Sequence, residues 1–191
     1  MSEWRSIHLT QARQVAALMG VTQELPAPEV GLRAHYEELK ASDPTQALNF
    51  IAHALPRFEA ILWAAAVVAG TQGPAPTREE HITRSAIRHW MEVQDDATRR
   101  AAHDSAQNLS RDLPERSLAS AIFYSGGSIA PVKAAPVLPV PGLANRLAAI
   151  AVMQAAYRSG DAPGLIAHAL SQAEGVAEHG ASWTTEGRNA A

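Results

Sequence analysis

The sequence predicts an all-α fold, and three observations carry that expectation. Apolar residues recur at helical spacing, as in Ala47, Phe50, Ile51 and Ala54, an i, i+3, i+4, i+7 stripe. Strand-like alternation of apolar and polar residues is absent along the chain. Helix-start signals punctuate it at short intervals: Asp43-Pro44, Thr77 with Glu80, and Pro114. The expected architecture is a single helical domain over residues 1–191, with eight or nine helices around two apolar central helices. Its irregular parts are a lead-in over 1–9, a proline-rich strap over 129–142 and a loose tail over 180–191 that contains Trp183.

In chain order, Trp4 and Ile7 are expected to tuck the lead-in against the body. Thr10 is the expected N-cap of a helix to Met19, with Gly20 as its stop. Two prolines in "QELPAPEVG" make a turn, and a helix follows from about Leu32 to Lys40. Asp43 then caps a helix that has Pro44 in its first position, where a missing N–H costs nothing.

The centre of the chain is "NFIAHALPRFEAILWAAAVVAG", residues 49–70. Pro56 opens its second helix, whose body from Ala60 to Ala69 has no charged or polar side chain. A helix apolar all round is a buried helix. Its two charges, Arg57 and Glu59, stand in the first turn, where the carboxylate suits the helix dipole. After "GTQGPAP", Thr77 and Glu80 form a capping box. The helix they start is two-sided, with Ile82, Ala86, Ile87, Trp90 and Met91 expected inward. Glu80–Arg84 and Arg88–Glu92 are expected as pairs on the wet face.

Asp95 or Asp96 starts the next helix, running to about Leu109 with Ala97, Ala101 and Leu109 inward. Pro114 opens another, with Leu118, Ala119, Ile122 and Phe123 inward, and "SGGS" at 125–128 ends it. The strap carries Pro131, Pro136, Pro139 and Pro141 and should run extended. Asn145–Ser159 is the second apolar helix, with Leu147, Ile150, Val152, Met153 and Tyr157, and a last helix spans about Pro163 to Glu178. The pentapeptide "IAHAL" occurs at 51–55 and at 166–170, with Glu59 and Glu174 six residues beyond each histidine. A duplicated, α-solenoid-like unit is one reading of that echo and chance in an alanine-rich chain is the other.

The composition excludes more than it assigns. A chain of 191 residues without cysteine has no disulfides, thiolate metal sites or thiol chemistry. A formal net charge of −3 is wrong for a general nucleic-acid binder. The N-terminal "MSEWRSIHLTQARQ" lacks the apolar run of an export signal, and the apolar stretches fall short of the roughly 18–20 residues of a membrane span. A cytoplasmic protein with no membrane insertion is expected.

Eight histidines raise the question of a metal, but the chain has neither His-x-x-x-His nor Glu-x-x-His, so no metal and no cofactor are expected. His53 and His168 lie in apolar segments, where a core histidine donating to a carbonyl is the simpler reading. No Gly-x-Ser-x-Gly elbow, Ser-x-x-Lys, Walker loop or dinucleotide fingerprint occurs, so no catalytic residues are assigned. Ser125, Gly126, Gly127 and Ser128 offer free amides for an oxyanion. Against that stands a helix C-cap in which Gly126 or Gly127 takes the left-handed conformation. Arg78, Arg84, Arg88, Arg99, Arg100 and Arg111 are interleaved with Glu79, Glu80, Glu92, Asp95, Asp96 and Asp104, which makes an ion-paired face and not a phosphate track. Pro136-Val-Leu-Pro139 is a formal PxxP. The strap is nevertheless expected to dock on its own helices, because Val137, Leu138 and Val140 favour burial. His53, Arg57 and Glu59 at the head of the central helix form either a polar site or, more simply, an Arg–Glu pair at the helix entry.

Three stretches in order carry a resemblance: "AHALPRFEAILWA" (52–64), "FYSGGSIAP" (123–131) and "VPGLANRLAAIAV" (140–152). They resemble landmarks of a family of uncharacterised bacterial proteins, a domain of unknown function found near type VI secretion genes. The likeness covers roughly residues 40–160. The first landmark has the family pattern Ala-Leu-Pro-Arg-Arg-Glu-Ala-Val-Trp-Trp-Ala, from which this chain departs at Phe58 and at Ile61-Leu62. The resemblance brings no catalytic residues and implies an accessory or adaptor role. The leading expectation is therefore a non-enzymatic protein that binds another protein through His53, Arg57, Glu59 and the loop Ser125, Gly126, Gly127, Ser128. Two alternatives remain. One is a small-ligand binder or hydrolase-like enzyme with a pocket between the central helices, using His53, Glu59 or Ser125. The other is a DNA-binding regulator.

Overall fold

Backbone donors at each helix start decide where the chain turns into helix. In the computed structural model, residues 4–180 are described; residues 1–3 and 181–191, with Trp183 and nearly all of the expected tail, lie outside the described residues. Among the described residues there are nine helices: α1 (Ala12–Leu18), α2 (Leu32–Ser42), α3 (Pro44–Ala54), α4 (Arg57–Gly70), α5 (Arg78–Val93), α6 (Asp96–Ser105), α7 (Pro114–Phe123), α8 (Leu143–Arg158) and α9 (Ala162–His179). The only bridge between extended segments among these residues is an isolated antiparallel one joining Gln11 and Gly31.

The caps follow the sequence closely. The Asp43 carboxylate accepts from the N–H groups of Thr45 and Gln46, both at 3.1 Å, with Pro44 at the first position of α3. Thr77 and Glu80 close a reciprocal capping box on α5 at 3.2 and 3.1 Å. Asp95 accepts from Thr98 N–H at 2.7 Å to start α6, and Asp161 does the same for Gly164 at 3.0 Å on α9. The first helix is the exception: Gln11, not Thr10, is its N-cap, in a box with Gln14. A longer side chain one residue on reaches the same orphan donors.

α4 is the buried centre. Ala60 to Ala65, Val67 and Val68 are all buried, and the indole N–H of the fully buried Trp63 donates to the Ala169 carbonyl at 2.9 Å. Helices α3, α7, α8 and α9 pack around it. α8 lies beside α4 in the same direction. Its N-terminal Asn145 bonds the chain just before α4, while its C-terminal Ala155 and Arg158 share a cleft with the C-terminal Val68 of α4. Alanines at 148, 149, 151, 155 and 156 bring the α8 backbone close to its neighbours. Burial of this second apolar helix is not complete, because Ile150 and Tyr157 face out, Tyr157 at 71% exposure.

The ends of the fold meet. Ser6 N–H donates to the Ala177 carbonyl, Trp4 packs edge-on against Tyr36, and Tyr36 in α2 donates its hydroxyl to Glu174 in α9 at 2.6 Å. Lys40 bonds the same Glu174 oxygen. The lead-in thus tucks in as expected, and the helices close on a shared core, whereas the units of a solenoid touch only their neighbours.

Two helix faces differ from expectation. In α5, Ile82 is exposed, and Thr83 is buried with its hydroxyl donating to the Ser105 carbonyl at 3.0 Å. In α6 the inward residues are Thr98, Arg99 and Ala102, while Ala97 and Ala101 are exposed. Thr83 and Arg99 share a reason: each donates from an inner position to carbonyls of a neighbouring segment, which an aliphatic side chain could not satisfy. The expected surface pairs dissolve with them. Glu80 is buried and spent on its cap, Arg84 turns to Glu115 of α7, and Arg88 and Glu92 form no ion pair among the described residues.

Candidate functional site

The residues expected at the head of the central helix separate into structural and free ones. His53 is buried, and its Nδ1–H donates to the Asn49 carbonyl at 2.8 Å, one turn back in α3. Its Nε2 is buried without a hydrogen-bond partner. Burial holds this imidazole below its ordinary pKa; the Asn49 bond opposes that shift and Arg146 adds to it. Glu59 accepts from the Ser6 hydroxyl of the lead-in. Arg57 is exposed and forms no ion pair with Glu59, so the expected Arg–Glu pair at the helix entry is absent. The Ser6 hydroxyl, from the lead-in, is the partner of the carboxylate instead. His168, the counterpart of His53, is exposed, and Gln172 lies 3.0 Å from its Nε2. It is not a core histidine, and the two "IAHAL" segments occupy unlike environments.

His53 gives a pH prediction. An imidazole kept neutral by burial binds fewer protons in the folded chain than in the unfolded one. Stability is therefore full above the unfolded value of about 6.5 and is lost as pH falls through it toward the lowered folded value. Urea unfolding at pH 7.5 and 5.5 should show the loss, and His53→Gln should reduce it. His103, also lowered chiefly by burial, will leave a remainder.

Two of the three stretches that carry the resemblance meet here. Asn145 Nδ2 donates to the carbonyls of Ala52 and Leu55 at 2.8 and 3.0 Å, pinning the turn between α3 and α4 to the start of α8. Gly142, in the left-handed region at φ +78°, sits against the Leu18 carbonyl and His53, where a Cβ would collide with that carbonyl. The "PG" of the third stretch is thus required by a close approach of chains.

The middle stretch is fastened elsewhere. Arg99, buried in α6, donates to the carbonyls of Phe123 and Ser128, and its guanidinium lies 4.9 Å from the Phe123 ring centre. Arg100 donates to the same Ser128 carbonyl at 2.7 Å, and both arginines pair with Asp96. The Ser128 hydroxyl accepts from Ala130 and Val137 N–H at 3.1 and 3.0 Å. Gly127 takes the left-handed conformation, at φ +67°, yet four residues beyond the end of α7 and so as a loop residue, not the helix cap itself. "SGGS" serves as the clamped base of the strap. Among the described residues neither a hydrogen bond nor an ion pair joins it to His53, Arg57 or Glu59.

The strap departs most from expectation. It does not dock: Val132, Val137, Leu138 and Val140 are 82, 51, 75 and 70% exposed. Nor is it wholly extended. Ile129 N–H donates to the Val137 carbonyl at 2.8 Å and Ala134 to Pro131 at 2.8 Å, which folds residues 129–137 into a loop with Lys133 in its turn. Residues 138–141 then lead to α8. Burial of α4 and of most of α8 is supplied by other helices, without the strap.

A cleft of about 390 Å³ opens at the C-terminal ends of α4 and α8, closed by α5, the start of α7 and the 71–76 loop. Arg84, Glu115 and Arg158 line it. Val68 of α4 and Ala155 and Arg158 of α8 line it, and His53, Glu59 and Ser125, the residues of the pocket alternative, are not in it. One signal for it stands in the sequence: Glu115, placed directly after the helix-opening Pro114. Among the described residues no three His, Asp or Glu side chains gather as a metal site, and no helix is long and apolar enough to cross a membrane.

No curated protein and no solved structure gives a significant match to the chain. The model of a family of unknown function, DUF6931, matches residues 36–177, from Tyr36 in α2 to Ala177 in α9, and the chain accordingly belongs to that family.

Proposed function

We propose that the protein is a non-enzymatic, protein-binding accessory or adaptor of the bacterial cytoplasm, and that the strap at 129–142 is its binding element. The observation that carries this is the exposure of Val132, Val137, Leu138 and Val140 on a segment whose base is clamped by Arg99, Arg100 and Ser128. Exposed aliphatic side chains cost solubility and are kept where something binds them. Prolines at 131, 136, 139 and 141 restrict the free segment, so little conformational entropy is lost on binding. A type VI secretion system is the setting that the resemblance of the three sequence stretches supports. Arg57, exposed at the head of α4, is a separate second contact.

The test is a pull-down from the native host with wild type and with Leu138→Asp plus Val140→Asp. Both side chains are exposed, so the variant should keep wild-type circular dichroism and thermal midpoint. We expect it to lose a partner that the wild type retains and that Arg57→Ala plus Glu59→Ala weakens less. Retention of every partner by the strap variant would refute the reading.

A further inference from the structure

We propose that the cleft at the C-terminal ends of α4 and α8 binds a small organic oxyanion, a carboxylate or phosphate monoester on an apolar body. Its volume of about 390 Å³ lies within the roughly 300–1,000 Å³ of small-molecule sites. Val68, Pro114 and Ala155 supply apolar wall, and Arg84 and Arg158 supply cations from two different helices.

The arginines are prepared differently. Arg84 directs Nε and Nη2 at one oxygen of Glu115, at 2.8 and 2.6 Å. Glu115 is 2% exposed, so this pair holds the guanidinium in a fixed orientation. The guanidinium has five donors, of which Glu115 takes two, and the Arg84 side chain remains 38% exposed, which leaves hydrogens for a ligand. Arg158 is exposed and, among the described residues, has neither an ion pair nor a side-chain hydrogen bond. Two arginines against one carboxylate leave the lining with an excess of one positive charge.

The opposing groups are engaged in part. Helix C-termini draw cations, and α4 and α8 both end here. Yet the Thr71 hydroxyl takes the Val67 carbonyl at 2.7 Å, and Ser159 takes the Ala156 carbonyl at 2.7 Å. The field of Arg158 reaches Asp112, whose carboxyl is held low first by the Ser110 hydroxyl. Asp112 is not among the residues that line the cleft. The start of α7, by contrast, turns its positive end to the cleft through Pro114 and Glu115.

The proposal is independent of the strap and is tested without a partner protein. Isotope-labelled full chain is titrated with benzoate and with phenyl phosphate at constant ionic strength, and with phenol and inorganic phosphate as controls. At least one of the two organic anions should give saturable shifts at Thr71, Gln72 and the Arg84 and Arg158 side chains. Arg158→Glu, at an exposed and unpaired position, should weaken that binding at least about ten-fold, as loss and reversal of a charge-assisted contact would. Arg88→Glu, an exposed arginine of α5 outside the cleft, should leave it unchanged. The proposal is overturned by an absence of saturation, by shifts elsewhere, or by equal binding in Arg158→Glu. Equal weakening in Arg88→Glu, or equal binding of phenol or inorganic phosphate, would overturn it as well.

Discussion

Trp63→Ala should destabilise the protein by about 4 kcal/mol, the usual range for deleting a buried aromatic being 3–5. Trp63 is fully buried in the middle of α4, so the vacated volume is enclosed by helices that can close on it only in part. The change also removes the indole N–H that the Ala169 carbonyl accepts at 2.9 Å, and loss of that buried hydrogen bond adds about 1 kcal/mol. A domain with a total stability of about 5–15 kcal/mol would sit near its unfolding threshold. Trp63→Phe separates the two effects, since it keeps most of the volume and loses the donor, and about 1–2 kcal/mol is expected for it. Urea unfolding followed by circular dichroism measures both. A loss below about 1 kcal/mol for the alanine variant would mean that α4 is not the packed centre.

Arg84→Ala should cost about 3 kcal/mol, because breaking a buried pair leaves a charge without compensation. Glu115 is the side chain left behind, at 2% exposure. Arg84 is itself partly exposed, which places the expected loss at the lower end of the 3–5 kcal/mol seen for buried pairs. The companion is Arg84→Ala with Glu115→Gln, which removes the stranded charge and should recover at least about half of the loss. If the double variant were as unstable as the single, the cost would come from lost arginine packing and not from the buried carboxylate. A thermal midpoint drop of roughly 6–12 °C corresponds to the single-variant figure in a chain of this size.

These residues show how much of the fold could be read in advance. Caps were legible because a cap is local: Asp43, Thr77 with Glu80, and Asp95 bond donors two or three residues away. The burial of α4 was legible because no rotation of an all-apolar helix exposes a polar face. Faces of mixed helices were legible only in part. Ile82 points out and Thr83 in because the Ser105 carbonyl, 22 residues away in sequence, needs a donor. Arg99 belongs to a charged run by sequence and to the core by structure, since the Phe123 and Ser128 carbonyls end an irregular chain segment there.

The candidate sites divide along the same line. His53 was legible as a core histidine, whereas the free standing of Arg57 depended on Ser6 capturing Glu59 from across the fold. The strap's proline content was plain, but its exposure was not, because whether Val137 and Leu138 find cover depends on surface that other helices leave open. The Arg84–Glu115–Arg158 cleft draws on three helices and has no local pattern at all.

What the sequence by itself determined is the helical class, most helix starts, the buried standing of the apolar body 60–69 except the half-buried Ala66 and the exposed Ala69, and the family stretches. Each rests on contacts within a few residues or on composition that leaves one outcome. Tertiary structure alone decided which polar side chains turn inward, that α4 and α8 run side by side with their ends forming a cleft, and that the strap stays in water. Those outcomes depend on which distant carbonyl or carboxylate a donor meets, and that partner exists only after the helices have packed.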